Sequence, residues 1–234
     1  MVDLYQGIRL FFYRELANNG RLPSVADASD RLGVPEDWGW DGVEWLAAER
    51  HLVIDANSTI VLAPPFATRN FGFSVMGAET LWWGSCALDS FSIPLMIEKE
   101  PSAVVATTCP ACGAAHSWLV DAHGPPAGDQ VVHFLVPMAH VWDDIILTCE
   151  NQRIFCSDAC LDAWVERTGH QRGATTDIAT LWRLAEHWYD GRLDSPYQRR
   201  EPAIAARYFA TKGLTGEFWG VPEEDESGVV SDPV

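Results

Sequence analysis

The placement of cysteine constrains this chain more than any other feature. Two of its six cysteines stand in Cys109-Pro110-Ala111-Cys112-Gly113, and 44 residues after Cys112 two more stand in Cys156-Ser157-Asp158-Ala159-Cys160. A tight Cys-x-x-Cys turn closed by glycine can aim two thiolates at one ion. A second pair at the start of a helix can complete a tetrahedral shell, because the positive end of the helix dipole favours thiolate. Six cysteines in 234 residues are too few for a disulfide scaffold. The spacing therefore predicts a structural zinc bound by Cys109, Cys112, Cys156 and Cys160 in a treble-clef-like arrangement. Two other readings stay open. One is a redox pair at Cys109 and Cys112, disfavoured because Ala115-His116-Ser117-Trp118-Leu119-Val120 reads as a strand where a thioredoxin-like motif should open a helix. The other is a set of buried thiols with no metal.

The remaining cysteines, Cys86 and Cys149, have different surroundings. Cys86 lies in Trp82-Trp83-Gly84-Ser85-Cys86-Ala87-Leu88-Asp89-Ser90. There Ser85 can cap a helix, and a thiol in the first turn should lose its proton more easily under the helix dipole. Asp89 is three residues on and so shares the helical face with Cys86, where a carboxylate can exchange a proton with the thiol or with a bound ligand. By itself such a pair is more often a core thiol beside a capping Asp. Trp82, Trp83, Phe71 and Phe73 could line an apolar pocket, although such aromatics are more often core.

Apolar residues at Leu4, Ile8, Phe11, Phe12 and Leu16 follow a 3.6-residue period and predict a helix over 4–18. Ser24 opens a second helix that stops at Gly33, and a third follows Pro35 through Val43, Leu46 and Ala47 to Arg50. His51 to Asp55 and Thr59 to Leu62 read as a hairpin, so residues 1–66 carry a winged helix-turn-helix pattern. After Pro64-Pro65 the chain changes to short apolar runs that predict strands at Phe71–Met76, Ala103–Thr107, Ser117–Val120, Val131–Val136 and Ile145–Leu147. Helices are expected within Leu81–Ile97, Ser157–Arg167, Ile178–Tyr189 and Ala203–Ala210. The fold class is α+β, divided into a winged-helix-like module (1–66), a mixed α+β domain (67–190) and a C-terminal extension (191–234) whose acidic tail, residues 222–234, is expected to be disordered.

Charge removes the obvious use of a winged helix. The chain has 16 Lys and Arg against 33 Asp and Glu, a net charge of −17. Its first 66 residues hold five Arg and ten acidic residues, with Asp27, Asp30, Glu36 and Asp37 around the turn that would face phosphates. Nucleic acid and anionic membrane surfaces are poor partners for such a surface, and a winged-helix metalloregulator is disfavoured. The longest apolar stretches fall short of a spanning helix, and Asp3 stands where a signal peptide carries Lys or Arg, so a cytoplasmic protein is expected.

Four segments taken together resemble organomercurial lyases, also called alkylmercury lyases. They are Arg31-Leu32-Gly33-Val34-Pro35, Pro64-Pro65-Phe66, Trp83-Gly84-Ser85-Cys86-Ala87-Leu88-Asp89-Ser90, and Cys149 ahead of Arg153-Ile154-Phe155-Cys156-Ser157, with order and spacing similar across roughly residues 20 to 185. The resemblance implies that Cys86, Asp89 and Cys149 form a catalytic trio. It implies protonolysis of a carbon–mercury bond, mercury binding by Cys86 and Cys149, and no cofactor for catalysis. The implied partners are an organomercurial small molecule, low-molecular-weight thiols and mercuric reductase. The chain departs from familiar members in its four zinc-like cysteines and in the extension after Trp188. These departures keep two alternatives in view, a zinc-stabilised metal-binding or carrier protein without turnover and a divergent member acting on another thiophilic compound. A pure carrier has no need of Asp89.

Overall fold

The computed structural model describes residues 1–220; the expected acidic tail lies outside the described residues. Three helices open the chain: α1 (Val2–Asn19), α2 (Val25–Leu32) and α3 (Glu36–Ala48). Ser24 and Asp27 form a reciprocal capping box at the start of α2, and Gly33 ends it in the left-handed region at φ 68°. Ile8, Phe12, Leu16, Val43 and Leu46 are buried between these helices and the sheet beyond them.

Strands β1 (Val53–Ile54), β2 (Ile60–Ala63), β3 (Phe66–Ala67), β4 (Phe73–Met76), β5 (Leu81–Gly84), β6 (Ser102–Thr108) and β7 (Ala115–Asp121) form one antiparallel sheet in the order β1-β2-β3-β5-β4-β6-β7. The hairpin that closes the N-terminal pattern is therefore the edge of this sheet, joined through Leu62–Ala67 and Ala63–Phe66 pairing across residue 66. The indole N–H of Trp82 donates to the Leu16 carbonyl at 2.9 Å, tying α1 to the middle of the sheet. Helix α4 (Ala87–Met96) lies on the sheet, buried along Ala87–Pro94. Contact is so close at Gly84 that a Cβ there would sit 2.0 Å from the Ser90 hydroxyl.

A second sheet, β10-β8-β9, is built from β8 (Val131–Phe134), β9 (Arg153–Phe155) and β10 (Ala174–Asp177). It is flanked by α5 (Ile145–Asn151), α6 (Asp158–Thr168) and α7 (Ile178–Ala185). The strand expected at Ile145–Leu147 is instead the first turn of α5. Asp144 accepts a hydrogen bond from the Leu147 N–H at 2.9 Å, and this N-cap outweighs the β-preference of the two isoleucines. Strand β5, at the start of the segment read for its helix, places Trp82 in the core. The C-terminal extension is folded through residue 220. Helix α8 (Pro202–Thr211) and a 3-10 turn at Glu217–Trp219 set Phe209 and Trp219 against the body, with Trp219 edge-on to Phe134 at 4.9 Å and Phe209 stacked on Trp188 at 5.1 Å. No described helix is long and apolar enough to cross a membrane.

Candidate active site and four-cysteine cluster

Two helices that are distant in sequence bring the unpaired cysteines together. Cys86 is the residue before α4, with extended backbone, and Cys149 lies on α5. Gln152, the residue that ends α5, joins them. Its backbone carbonyl accepts from the Ala87 N–H and its side-chain oxygen from the Leu88 N–H, both at 3.2 Å. These two bonds satisfy donors that the first turn of α4 leaves free and dock the end of α5 on it. Asp89 completes the group. One ligand atom from each of Cys86, Asp89 and Cys149 lies within 4.8 Å of the others, and the three residues are only 5%, 4% and 3% exposed.

Asp89 is held by both oxygens. The Ser85 hydroxyl donates to Oδ2, and the Tyr189 hydroxyl donates to Oδ1 at 2.6 Å. Ser85 thus binds the Asp89 side chain, while α4 itself has no side-chain cap at its start. Burial pushes the Asp89 carboxyl up, and the donors from Ser85, Tyr189 and Cys86 only partly offset it. The expectation that the helix dipole frees the Cys86 thiol of its proton is overturned. Burial, then the neighbouring Cys149 and Asp89, push that thiol well above its ordinary range, because no dipole in one helical turn compensates removal of a thiolate from water. Burial thus raises the proton affinity of both the Cys86 thiol and the Asp89 carboxyl.

The trio opens on a cavity of about 320 Å³. Its walls include Met138, Val141, Trp142, Ile145, Trp188, Phe209 and Trp219, so the segment after β8 and the C-terminal extension supply most of the apolar lining. Trp82, Trp83, Phe71 and Phe73 are not among the lining residues. Trp82 is core, with its N–H committed to α1, and Phe73 lies under the Arg153 guanidinium at 5.1 Å. Behind Tyr189, the buried Arg192 donates to the Pro64 carbonyl at 3.0 Å and to the Tyr13 hydroxyl, with its guanidinium over the rings of Tyr13, Tyr189 and Tyr197. Gln152, Tyr189 and Arg192 escape sequence reasoning because their roles depend on contacts across 60 to 180 residues, with no local spacing to mark them.

The second cluster lies apart from the first. Cys109 and Cys112 sit on the turn between β6 and β7, closed by Cys109 N–H to Ala114 carbonyl and Gly113 N–H to Cys109 carbonyl bonds, with Gly113 at φ 76°. Cys156 follows β9, and Cys160 is in the first turn of α6, where its N–H donates to the Ser157 hydroxyl. One sulfur from each lies within 4.8 Å of the others, and Cys112 and Cys156 are 3.4 Å apart. Four thiolates about 2.3 Å from a tetrahedral zinc stand roughly 3.8 Å from one another, so the set fits such an ion. Burial pushes the Cys109 thiol up, but the N–H groups of Cys112, Cys156 and Ala111 more than offset it and hold it at about 7. This set of donors could hold a metal ion.

No curated protein sequence matches the chain. Among solved structures, one described as the mercury-bound form of MerB2 aligns with a TM-score of 0.60 at 15% identity, covering 82% of this chain and 98% of that one. At that identity the match shows a shared fold. The alkylmercury lyase (MerB) family model matches residues 66–190, which is more than half the sequence and contains both cysteine clusters, and the chain belongs to the alkylmercury lyase family.

Proposed function

We propose that this protein is an organomercurial lyase that replaces mercury on carbon by a proton, with Cys86, Asp89 and Cys149 as its catalytic residues. The observation that carries the reading is the meeting of two buried thiols and one buried carboxyl at a largely apolar cavity. Mercury is soft and prefers sulfur, so two thiols suit it, while the apolar walls suit its organic group. The substrate is R–Hg–X, with X a thiolate. Asp89, ionised, takes the Cys86 proton as that sulfur bonds to mercury and hands it to X, which departs as HX. Cys149 then bonds to mercury, and its proton passes by way of Asp89 to carbon as the carbon–mercury bond breaks. The balance is R–Hg–X plus two thiols giving R–H, HX and mercuric ion held by two thiolates, with mercury's oxidation state unchanged. External thiols or a mercuric reductase then remove the ion. Ser85 and Tyr189 fix the carboxyl between these duties.

The other parts of the chain serve this site. The four-cysteine set holds one structural zinc in a treble-clef-like arrangement of β-turn and helix start, supported by the sulfur separations and the first-turn position of Cys160. It fastens the β6–β7 turn to the end of β9 and the start of α6. Residues 1–66 act as a winged-helix-like packing module, residues 67–190 carry the catalytic groups, and residues 191–220 close the cavity. Incubating the protein with phenylmercuric acetate and excess thiol should release benzene, read by gas chromatography. Stoichiometric capture of mercury without benzene would instead identify a carrier.

A further inference from the structure

The cavity has the opposite charge to the chain around it. Acidic residues outnumber basic ones by 33 to 16, yet Arg50, Arg192, Arg199 and Arg200 all line the cavity, and Asp89 is the one carboxyl among the described residues that line it. Arg192 and Arg200 are committed to the protein. Arg192 serves Pro64 and the Tyr13 hydroxyl, and Arg200 donates to the carbonyls of Trp188 and His187. Arg50 and Arg199 differ. Their guanidiniums lie over the same ring, Trp142, at 5.6 and 5.5 Å, so two cations share one aromatic wall. Arg50 has no ion pair among the described residues; Arg199 pairs with the exposed Glu201 at 3.2 Å and donates to the Arg200 carbonyl at 3.2 Å, but its Nε is buried without a partner among the described residues. Two guanidiniums sharing one partly buried ring repel each other unless an anion joins them. Both residues also lie outside the family-matched segment 66–190, so this rim belongs to the chain's own flanking elements.

We propose that the cavity takes organomercurials presented with a carboxylate, which Arg50 and Arg199 hold while Cys86 and Cys149 take the mercury. The inference rests on the lyase reading. A carboxylate can reach the rim from either end of R–Hg–X, as a substituent on the organic group or as part of the thiol that carries mercury. The guanidinium fork matches either one.

The test compares kcat/KM for 4-carboxyphenylmercury and phenylmercury, both with 2-mercaptoethanol, and for phenylmercury with mercaptoacetate or 2-mercaptoethanol. At low salt the carboxylated member of at least one pair should be favoured about tenfold, equivalent to about 1.4 kcal/mol. The first pair identifies the organic group as the source and the second the carrier thiol. The R50Q/R199Q variant should lose the preference, R50K/R199K should recover part of it, and added salt should weaken it. Ratios within twofold in the wild type, or a preference retained by R50Q/R199Q, would overturn the proposal. A wild type with the preference absent but gained on neutralising Glu223, Glu224, Asp225 and Glu226 to amides would overturn it too, by assigning the rim to the chain's own acidic segment. If phenylmercury gives no benzene with either thiol, the lyase reading fails by itself. The anion site is then tested without mercury, by titrating benzoate and benzyl alcohol against tryptophan fluorescence. Binding of benzoate alone, lost in R50Q/R199Q, supports the rim, and equal or absent binding of the two rejects it.

Discussion

Replacing Tyr189 with Phe removes one hydroxyl and leaves the ring in place, which isolates its bond to Asp89. That bond is 2.6 Å long and buried, and its acceptor is the carboxyl that must both take and return a proton. A hydrogen bond to a charged group is worth about 1.5–3 kcal/mol net, so the ionised form of Asp89 should lose about that much support. If the ionised carboxylate receives the Cys86 proton, kcat/KM at neutral pH should fall about 10- to 100-fold. The direction in pH follows from the same bond. Burial already pushes the Asp89 carboxyl up, and Tyr189 opposes that push, so Y189F should raise it further and move the acidic limb of the kcat/KM profile to higher pH. Benzene release from phenylmercury across pH 5–9 provides the assay, with S85A as a parallel loss at the other oxygen. A merely structural role for Tyr189 would lower stability or the whole profile without moving the limb. A limb that stays in place in both variants, with turnover within twofold of wild type, would refute the reasoning that Asp89 is tuned by its two hydroxyl partners.

C86S, C149S and D89A should each abolish benzene release while changing Tm by only a few degrees, and D89A should still retain mercuric ion against dialysis; near wild-type turnover in D89A would remove its role in proton transfer. Elemental analysis should find one zinc per chain, and C109S or C160S should lose it together with more than about 10 °C of Tm, since metal binding here is folding energy and each kcal/mol is worth about 2–4 °C at this size. Burial, then Arg192, Arg9 and Arg199, hold the His51 imidazole down at about 3 against an ordinary 6.5. The folded state keeps His51 neutral where the unfolded chain protonates it, so this contribution is complete above about pH 6.5 and is lost as pH falls towards about 3, by at most about 5 kcal/mol. Urea midpoints at pH 7.5 and 4.5 should differ less in H51L than in the wild type, and equal differences would show that His51 is not responsible.

What the sequence revealed depended on how local each signal was. Ser24 with Asp27, Gly33 after α2, and the glycine-closed turn at Cys109–Cys112 act within a few residues, and the structure forms each where the spacing indicates. Cys86 and Asp89 were legible for the same reason, being three residues apart at the start of α4, Cys86 just before it and Asp89 in its first turn. Their meeting with Cys149 rested on family resemblance, because Gln152, the group that draws the two helices together, is an ordinary polar residue until α5 is docked. The misread turn at Ile145–Leu147 and the sequence's silence about the pocket wall have a common origin. Apolar character marks a side chain for burial but does not say which surface buries it, so nothing local separates Trp82 and Phe73, which are core, from Phe209 and Trp219, which line the cavity.

That distance bears on how the site achieves a low-dielectric interior. Within the family-matched segment, Cys86 precedes α4, Asp89 stands on α4 and Cys149 on α5, but the burial that raises the thiol and the carboxyl also depends on outer segments. Arg9 of α1 donates to the Arg192 carbonyl at 2.8 Å, and Arg192 in turn packs on Tyr189, so the first helix and the segment after α7 brace the residue that holds Asp89. Phe209 and Trp219 close the cavity from the other side. Loosening either brace should admit water to Asp89, lower the carboxyl towards its ordinary range and weaken its ability to hold a proton for transfer to carbon. W219A is the cleanest such change, since Trp219 touches neither the trio's hydrogen bonds nor the four cysteines among the described contacts. It should leave zinc content unchanged and reduce kcat more than it raises KM for phenylmercury. Loss confined to KM would show that the extension only binds the organic group and does not shield the proton.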